Sequence, residues 1–564
     1  DGLDYLNVNP GEFPYVRGNH LKENHWEITE EIKVENIKES NKKALNALGK
    51  GATSLIFTFE KEISLNNLNI LLDDIYIECI RIQLNAGKKT SAISEIYKQL
   101  AKNRQVKSTN LVGSFIFDPI GELTKTGHFY VSEEQDFKTL FKLTSDNESN
   151  SLKTIAIQGD IFNNAGASVI QELGLSLAAG AEYLSRLTDE GLPIDRIASK
   201  IQFQFGIGSN YFMEIAKLRA ARVLWANIVN AYNPSSEDAT KMFIHSSTSD
   251  WNKTIYDPHV NLLRTTTEAM SAIIGGADSL LVKPFDSYYE KPEKWTERIA
   301  RNTQIILKEE AYLDKVVDPG AGSYYIEILT NNIIDKSWEL FLDIQEKNGY
   351  IAAFKNGIIQ QLIGETANKR NQLIATRREV LLGTNQYPNA DEKIKGKINN
   401  EYAFPEMQNG VEKIAEPLLV YRGAMEFEKL RLATEKSSEE PVVFLLTIGH
   451  PVWRKARAGF SIGFFACAGY KIIDNPGFAS AEEGVEAAKK AGADIVVLCS
   501  SDEEYLELAP MVYEQLHDHA AVVVAGAPAS MNELKEKGIE HFIHVKSNVL
   551  ETLKLFHEKL NITM

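Results

Sequence analysis

Cysteine is scarce in this chain: Cys79, Cys467 and Cys499 are the only three among 564 residues, and they lie far apart. An odd, scattered set excludes a disulfide framework, and the lack of any C-x-x-C or Cys/His cluster speaks against a zinc site. Free thiols point to a reducing compartment, expected to be the cytoplasm. Basic charge is short as well, with 61 Lys and Arg against 77 Asp and Glu and a net charge of -16. That balance disfavours nucleic acid or an anionic membrane as the main partner. No apolar run approaches the ~20 residues of a membrane span, and DGLDYLNVNPGEFPYVRG at the start has no signal-peptide apolar core. No G-x-x-x-x-G-K-[ST] loop and no dinucleotide fingerprint occur; Gly320-Ala321-Gly322 resembles a phosphate loop only superficially.

What is present is α/β periodicity in two blocks. Residues 1–50 read as an arm, irregular through NPGEFPYVRG and then helical. From 51 to 383, short β-rich runs alternate with helical segments, as in stacked βα units. Eight strands are expected: Thr53–Phe59, Tyr76–Leu84, Ser114–Phe117, Thr154–Gln158, Ile201–Phe205, Lys241–His245, Ser279–Val282 and Lys315–Val317. With long helices such as Ala165–Arg186 and Tyr211–Ala231 between them, they suit a (β/α)8 TIM barrel with trailing helices. A polar linker, 384–440, follows. From 441 to 564, strands at 442–446, 471–473, 494–499, 521–525 and 541–545 alternate with helices, which fits a small doubly wound, flavodoxin-like domain.

Several stretches are longer and more specific than any glycine motif. GEFPYVRG (11–18), GSNYFMEIAKLRAARVLW (208–225), NLLRTTTEAMSAIIGGADSL (261–280) and ERIARNTQIILKEEAYLDKVVDPGAGSYYIE (297–327) resemble the acyl-CoA mutase family, most specifically methylmalonyl-CoA mutase. The resemblance runs from the arm into the C-terminal domain. It implies adenosylcobalamin held between the two domains, a thioester substrate along the barrel axis, and radical isomerisation in which the cofactor supplies the radical.

The site positions depart from that pattern. The family's cobalamin turn reads D-x-H-x-x-G, with the His as cobalt ligand and the Asp orienting it. With Gly469 on the family's helix-ending Gly, those three places fall on Val452, Arg454 and Arg457. A guanidinium offers no lone pair, so Arg454 is no metal ligand. His450 stands four residues upstream of the required place, before Pro451. In the arm, the family's W-x-I-R-Q-Y-A-G puts Thr29 for its Arg and Glu31 for its Tyr, an exchange that repels an acidic acyl-CoA. The family's H-M-Q-E-A-G-A becomes Ile161 to Ala167, with Ile161 for His and Asn163 for the substrate-binding Gln. Its S-L-H-T-N becomes Ser279 to Lys283. His245 alone is retained, at the place where the family polarises the thioester carbonyl, though Phe243 and Ile244 replace the polar residues before it.

Further departures concern packing. Phe57 with Phe59, Phe115 with Phe117 and Phe203 with Phe205 each share a strand face; turned inward, they would fill the barrel axis. Ser500-Ser501-Asp502 stands where the family contacts the nucleotide tail, but at a strand end it reads first as a helix N-cap. Ala525-Gly526 replaces the family's Gly-Gly, and Arg454-Lys455-Ala456-Arg457 reads as a solvated or interfacial basic face. The expectation is a non-catalytic small subunit, with no metal site and no bound cofactor of its own, paired in a heterodimer with the catalytic large subunit that holds adenosylcobalamin. It would serve interconversion of methylmalonyl-CoA and succinyl-CoA in propionate metabolism, with Phe13, Tyr15 and Arg17 of the arm wrapping the partner. The alternatives are an active acyl-CoA mutase with atypical cobalamin ligation through His450, and a regulatory protein that binds acyl-CoA without reacting it.

Overall fold

A computed structural model describes residues 8–147, 149, 151–405 and 412–563. Among the described residues, fourteen strands form two wholly parallel sheets. The first contains β1 (Glu27–Lys33), β2 (Ser54–Thr58), β3 (Arg81–Asn85), β4 (Gly113–Phe115), β5 (Leu152–Lys153), β6 (Ile155–Gln158), β7 (Ile201–Ile207), β8 (Ile244–Thr248) and β9 (Ser279–Leu281). Its nine strands run in the order β5-β4-β3-β2-β1-β9-β8-β7-β6. β5 and β6 are one stretch interrupted at Thr154, pairing on one side with β4 and on the other with β7. The sheet therefore curls almost fully round, consistent with the expected barrel of eight staves and helices outside.

Three strand assignments need correction. Lys315–Val317 is a bend, and its place among the staves is taken by β1, from the segment assigned to the arm. EITEEIK hides the alternation behind its carboxylates: Ile28 and Ile32 face the outer helices, while Glu30, on that same face, reaches a buried ion pair with Arg301. The second expected strand begins at Arg81 rather than Tyr76, because residues 76–79 form turns. The sixth starts at Ile244, so His245 lies near the strand's amino end and not its carboxyl end.

The phenylalanine pairs all point outward. Phe57, Phe59 and Phe115 pack with Ala44, Leu68 and Tyr97 of the surrounding helices, and Phe203 meets Trp225 edge to face at 4.8 Å. Strands buried on both faces carry large apolar residues against their helices and leave the narrow interior to other side chains.

The second sheet joins β10 (Val442–Thr447), β11 (Lys471–Ile473), β12 (Ile495–Cys499), β13 (Ala521–Ala525) and β14 (His541–Ile543) in the order β11-β10-β12-β13-β14. All five expected strands form. The expected linker contains the helix Met425–Lys436, whose Phe427 and Leu430 share a core with Val443, Phe464 and Phe556. Arg377, beyond the helix Ile358–Ala375, donates to the Gly463 carbonyl and to Cys467 Sγ, tying the barrel's trailing helices to this unit. No helix among the described residues is long and apolar enough to cross a membrane.

Truncating an outward ring removes helix packing and leaves a cavity. Phe203→Ala should cost about 3–5 kcal/mol of stability, read as a lowered urea midpoint; an unchanged midpoint would mean that the ring does not pack between strand and helix.

Candidate functional site

The barrel axis is the first place to look for chemistry, and its own side chains fill it in layers. At the amino end Arg81 forms a 2.5 Å ion pair with Glu27, and its guanidinium lies 4.4 Å from the Phe243 ring centroid. Above them runs a polar belt. Gln83 Nε2 donates to Ser54 Oγ at 3.3 Å, while Gln83 Oε1 accepts from Ser114 Oγ and from Gln202 Nε2, both at 3.0 Å. Gln83 and Gln202 come from strands that are not neighbours in the sheet, so this last bond spans the interior. Thr29 Oγ1 lies 2.8 Å from Ser279 Oγ, which also meets His245 Nδ1 at 3.0 Å. Over the belt sits an aliphatic layer of Ile56, Ile116, Ala156 and Leu281. A pantetheine-sized chain along this axis would have to break the glutamine brace and displace that layer.

His245 is buried, and burial together with the nearby Arg81 charge lowers its pKa to about 3. It is a neutral imidazole held by a hydroxyl, well below the carboxyl-end mouth where barrel enzymes place catalytic groups.

That mouth holds the remaining replacements. Thr58 Oγ1 donates to Glu31 at 2.8 Å, and Lys283 Nζ lies 2.6 Å from Asp250 Oδ1. Cavities of about 200 and 210 Å³ flank Lys283 and share Ser287 and Tyr402. Asn163 is turned away from them: its amide donates to Glu172 at 3.2 Å and its oxygen accepts from Ser249 at 2.6 Å. Glu172 in turn lies 2.7 Å from the buried Lys217. Ile161 is buried as well. The Glu172–Lys217 network escaped the sequence reading, since its members lie 45 residues apart with no motif joining them.

At the carboxyl ends of the second sheet the pattern is the same. His450 caps the helix Pro451–Phe465, its Nδ1 accepting from Val452 N at 3.3 Å. Arg454 donates to the carbonyls of Pro476 (2.9 Å) and Gly449 (3.3 Å), and Arg457 pairs with Asp502 at 2.8 Å. The basic run is thus largely satisfied from within, with Lys455 left exposed. Ser500 and Ser501 do not cap the following helix; both hydroxyls donate to Glu504, whose carboxylate these bonds hold below the usual range. Glu504 also crowds Gly449, where a Cβ would collide with it. These residues do not fit a cobalt-bound corrin: the ligand position carries a hydrogen-bonded guanidinium, and the crevice beside it is occupied by side chains. Among the described residues no cluster of three or more His, Cys, Asp or Glu could hold a metal ion.

The loop at Gly320–Gly322 is structural too, with Gly322 N donating to Glu327 Oε1 at 2.9 Å. The arm anchors differ from expectation. Tyr15 is buried, its carbonyl accepting from Arg222 and its hydroxyl donating to the Glu237 carbonyl, and Arg17 pairs with Asp318 at 3.5 Å. Two of the three expected partner anchors therefore hold the arm to its own barrel, because NPGEFPYVRG supplies groups that the barrel's amino end can satisfy.

A parallel barrel followed by a second parallel sheet, with mutase-type positions at both carboxyl ends, defines the class. The methylmalonyl-CoA mutase family model matches residues 61–416. A Porphyromonas gingivalis protein named methylmalonyl-CoA mutase small subunit is 48% identical over 98% of this chain and 89% of its own length. A small subunit of that name from Streptomyces virginiae is 31% identical over 91% of this chain and 83% of its own. A Rhizobium meliloti protein named methylmalonyl-CoA mutase is 30% identical over 68% of this chain and 58% of its own. The chain belongs to the methylmalonyl-CoA mutase family, and the expected likeness to its small subunits is met.

The His245 pKa gives a pH prediction. Between about pH 3 and the unfolded value near 6.5, the unfolded state binds a proton that the native state does not, so stability rises with pH. Its contribution is complete above pH 6.5 and falls by about 1.4 kcal/mol per unit below it. His245→Gln should flatten the acid limb of denaturant stability between pH 6 and 4; an unchanged slope would mean that the imidazole is protonated in the fold.

Proposed function

We propose that this chain is the non-catalytic small subunit of a heterodimeric, adenosylcobalamin-dependent methylmalonyl-CoA mutase. It supports the interconversion of methylmalonyl-CoA and succinyl-CoA carried out by a catalytic large subunit. The observation that carries this reading is that both places where the family does chemistry are filled by side chains bonded to one another or to nearby backbone. Along the axis these are Gln83, Gln202 and the Ile56 layer; at the second sheet they are Arg454, Arg457 with Asp502, and Glu504 with its serines. An altered but active mutase would need a free ligand for cobalt, whereas His450 is engaged as a cap.

On this reading adenosylcobalamin and substrate are held by the partner, and this chain's second unit is a flavodoxin-like domain that no longer binds the cofactor. The strand order of its sheet supports that assignment, since second-first-third-fourth-fifth is the order of flavodoxin-like sheets. The chain's site is cytoplasmic on the cysteine argument, with three free thiols, two of them buried. Its domains run as a docked arm to about residue 25, the barrel and its trailing helices to 383, a partly helical connection to 440, and the flavodoxin-like unit beyond.

The test reconstitutes the mutase from both chains. His245→Gln, Arg454→Ala and Ser500→Ala in this chain should each leave kcat within about twofold of the unaltered complex, whereas omitting the chain should abolish or sharply reduce activity. A tenfold or greater fall in kcat for His245→Gln, with assembly intact, would assign catalysis to this barrel.

A further inference from the structure

Where β1 ends, a cavity opens whose lining contains a buried arginine with one edge of its guanidinium unused. β1 runs on to Lys33, but β9 pairs with it only as far as Leu281, opposite Thr29. Beyond Leu281 the chain leaves the sheet through Pro284, which has no N–H to continue the ladder. Between the end of β1 and the helix Lys294–Glu309 this leaves a cavity of about 200 Å³. Leu281, Val282, Pro284, Pro292, Ala300 and the Tyr402 ring give it an apolar wall, and Arg301 lies in the same lining. Arg301 is 4% exposed, and its Nη1 pairs with Glu30. Its Nε is buried without a hydrogen bond, and its Nη2 donates to no described residue. Nε and Nη2 form one edge of the guanidinium, the fork that grips both oxygens of a carboxylate.

We propose that this cavity binds a short-chain organic carboxylate, its head on the Arg301 fork and its hydrocarbon tail against Leu281, Val282 and Ala300. The site goes beyond the small-subunit reading by giving this chain a ligand of its own, and it does not depend on that reading. A buried donor without an acceptor is destabilising, so an unused edge in a cavity wall calls for an acceptor from outside the chain. Water would answer the fork but not the apolar wall beside it. The other charges of the lining are engaged: Lys43 pairs with Glu297, Lys283 with Asp250 and Lys291 with Glu35, while Glu31 accepts from Thr58. Lys33 pairs with no carboxylate among the described residues, and its ammonium lies 5.4 Å from the Tyr402 ring centroid. It adds a second positive charge that favours an acid. Size sets the tail. A cavity of about 150 Å³ takes benzene, with its six carbons, so one of about 200 Å³ takes about eight non-hydrogen atoms, the number in hexanoate.

The test titrates hexanoate, hexanol and inorganic phosphate into the purified full chain by isothermal calorimetry. The wild type should bind one equivalent of hexanoate saturably, and the alcohol and phosphate at least about tenfold more weakly, since neither matches both fork and wall. Arg301→Lys keeps the charge beside Glu30 but removes the fork. It should weaken hexanoate at least about tenfold, with circular dichroism and Tm unchanged. Ala300→Leu narrows the apolar wall without touching the fork, and should shift the preferred acid from hexanoate to propionate; it carries the test if Arg301→Lys disturbs folding. No saturable binding to the wild type at millimolar hexanoate would overturn the proposal. Hexanol or phosphate binding as tightly as hexanoate would overturn it too, by reducing the site to an apolar cleft or a general anion site. So would an unchanged hexanoate affinity in folded Arg301→Lys, or an unchanged chain-length preference in Ala300→Leu, because the acid would then lie elsewhere.

Discussion

A parallel barrel buries both faces of its sheet, so every polar group inside must find a partner inside. In this chain the belt through Gln83 answers part of that constraint by joining Ser54, Ser114 and Gln202 across the axis, while Gln202 Oε1 has no partner among the described residues. Above this brace the aliphatic layer of Ile56, Ile116, Ala156 and Leu281 packs together, and the large rings are left to the outer helices. An unmet amide at this depth would cost on the order of 1–3 kcal/mol. The belt thus lies across the axis that a substrate chain would have to follow.

The same logic governs the second unit. A guanidinium in place of a metal ligand is tolerable only if its donors are used, and Arg454 uses two of them on backbone carbonyls while Arg457 turns to Asp502. Asp502 in a tail-binding tunnel would be an unpaired charge; here it is half-exposed and paired. Residues that look like separate losses in sequence are coupled replacements in space.

Much of this was legible in the residues. The run of β-rich and helical segments fixed a barrel followed by a five-stranded parallel sheet, and all five later strands form close to their expected bounds. β1 was missed because Glu27, Glu30 and Glu31 hide its alternation, and Lys315–Val317 was counted in its place because three residues carry too little signal to separate a strand from a bend. The direction of the phenylalanine pairs was undecidable locally, since both faces of a barrel strand are buried. Filling of the axis was tied to the phenylalanine pairs turning inward, yet the brace is made of Gln83 and Gln202, 119 residues apart. Tyr15 and Arg17 were read as partner anchors, because an extended aromatic and basic segment carries no mark of whether its target is its own barrel or another chain.

The central claim, that both mutase sites are occupied by the chain itself, meets its most direct test in equilibrium dialysis of the purified chain against adenosylcobalamin with absorbance detection. The account predicts no binding at micromolar cofactor. Saturable binding at one cofactor per chain would contradict it and would require a cobalt ligand or a corrin seat near His450 that the arrangement of Arg454 and Glu504 denies.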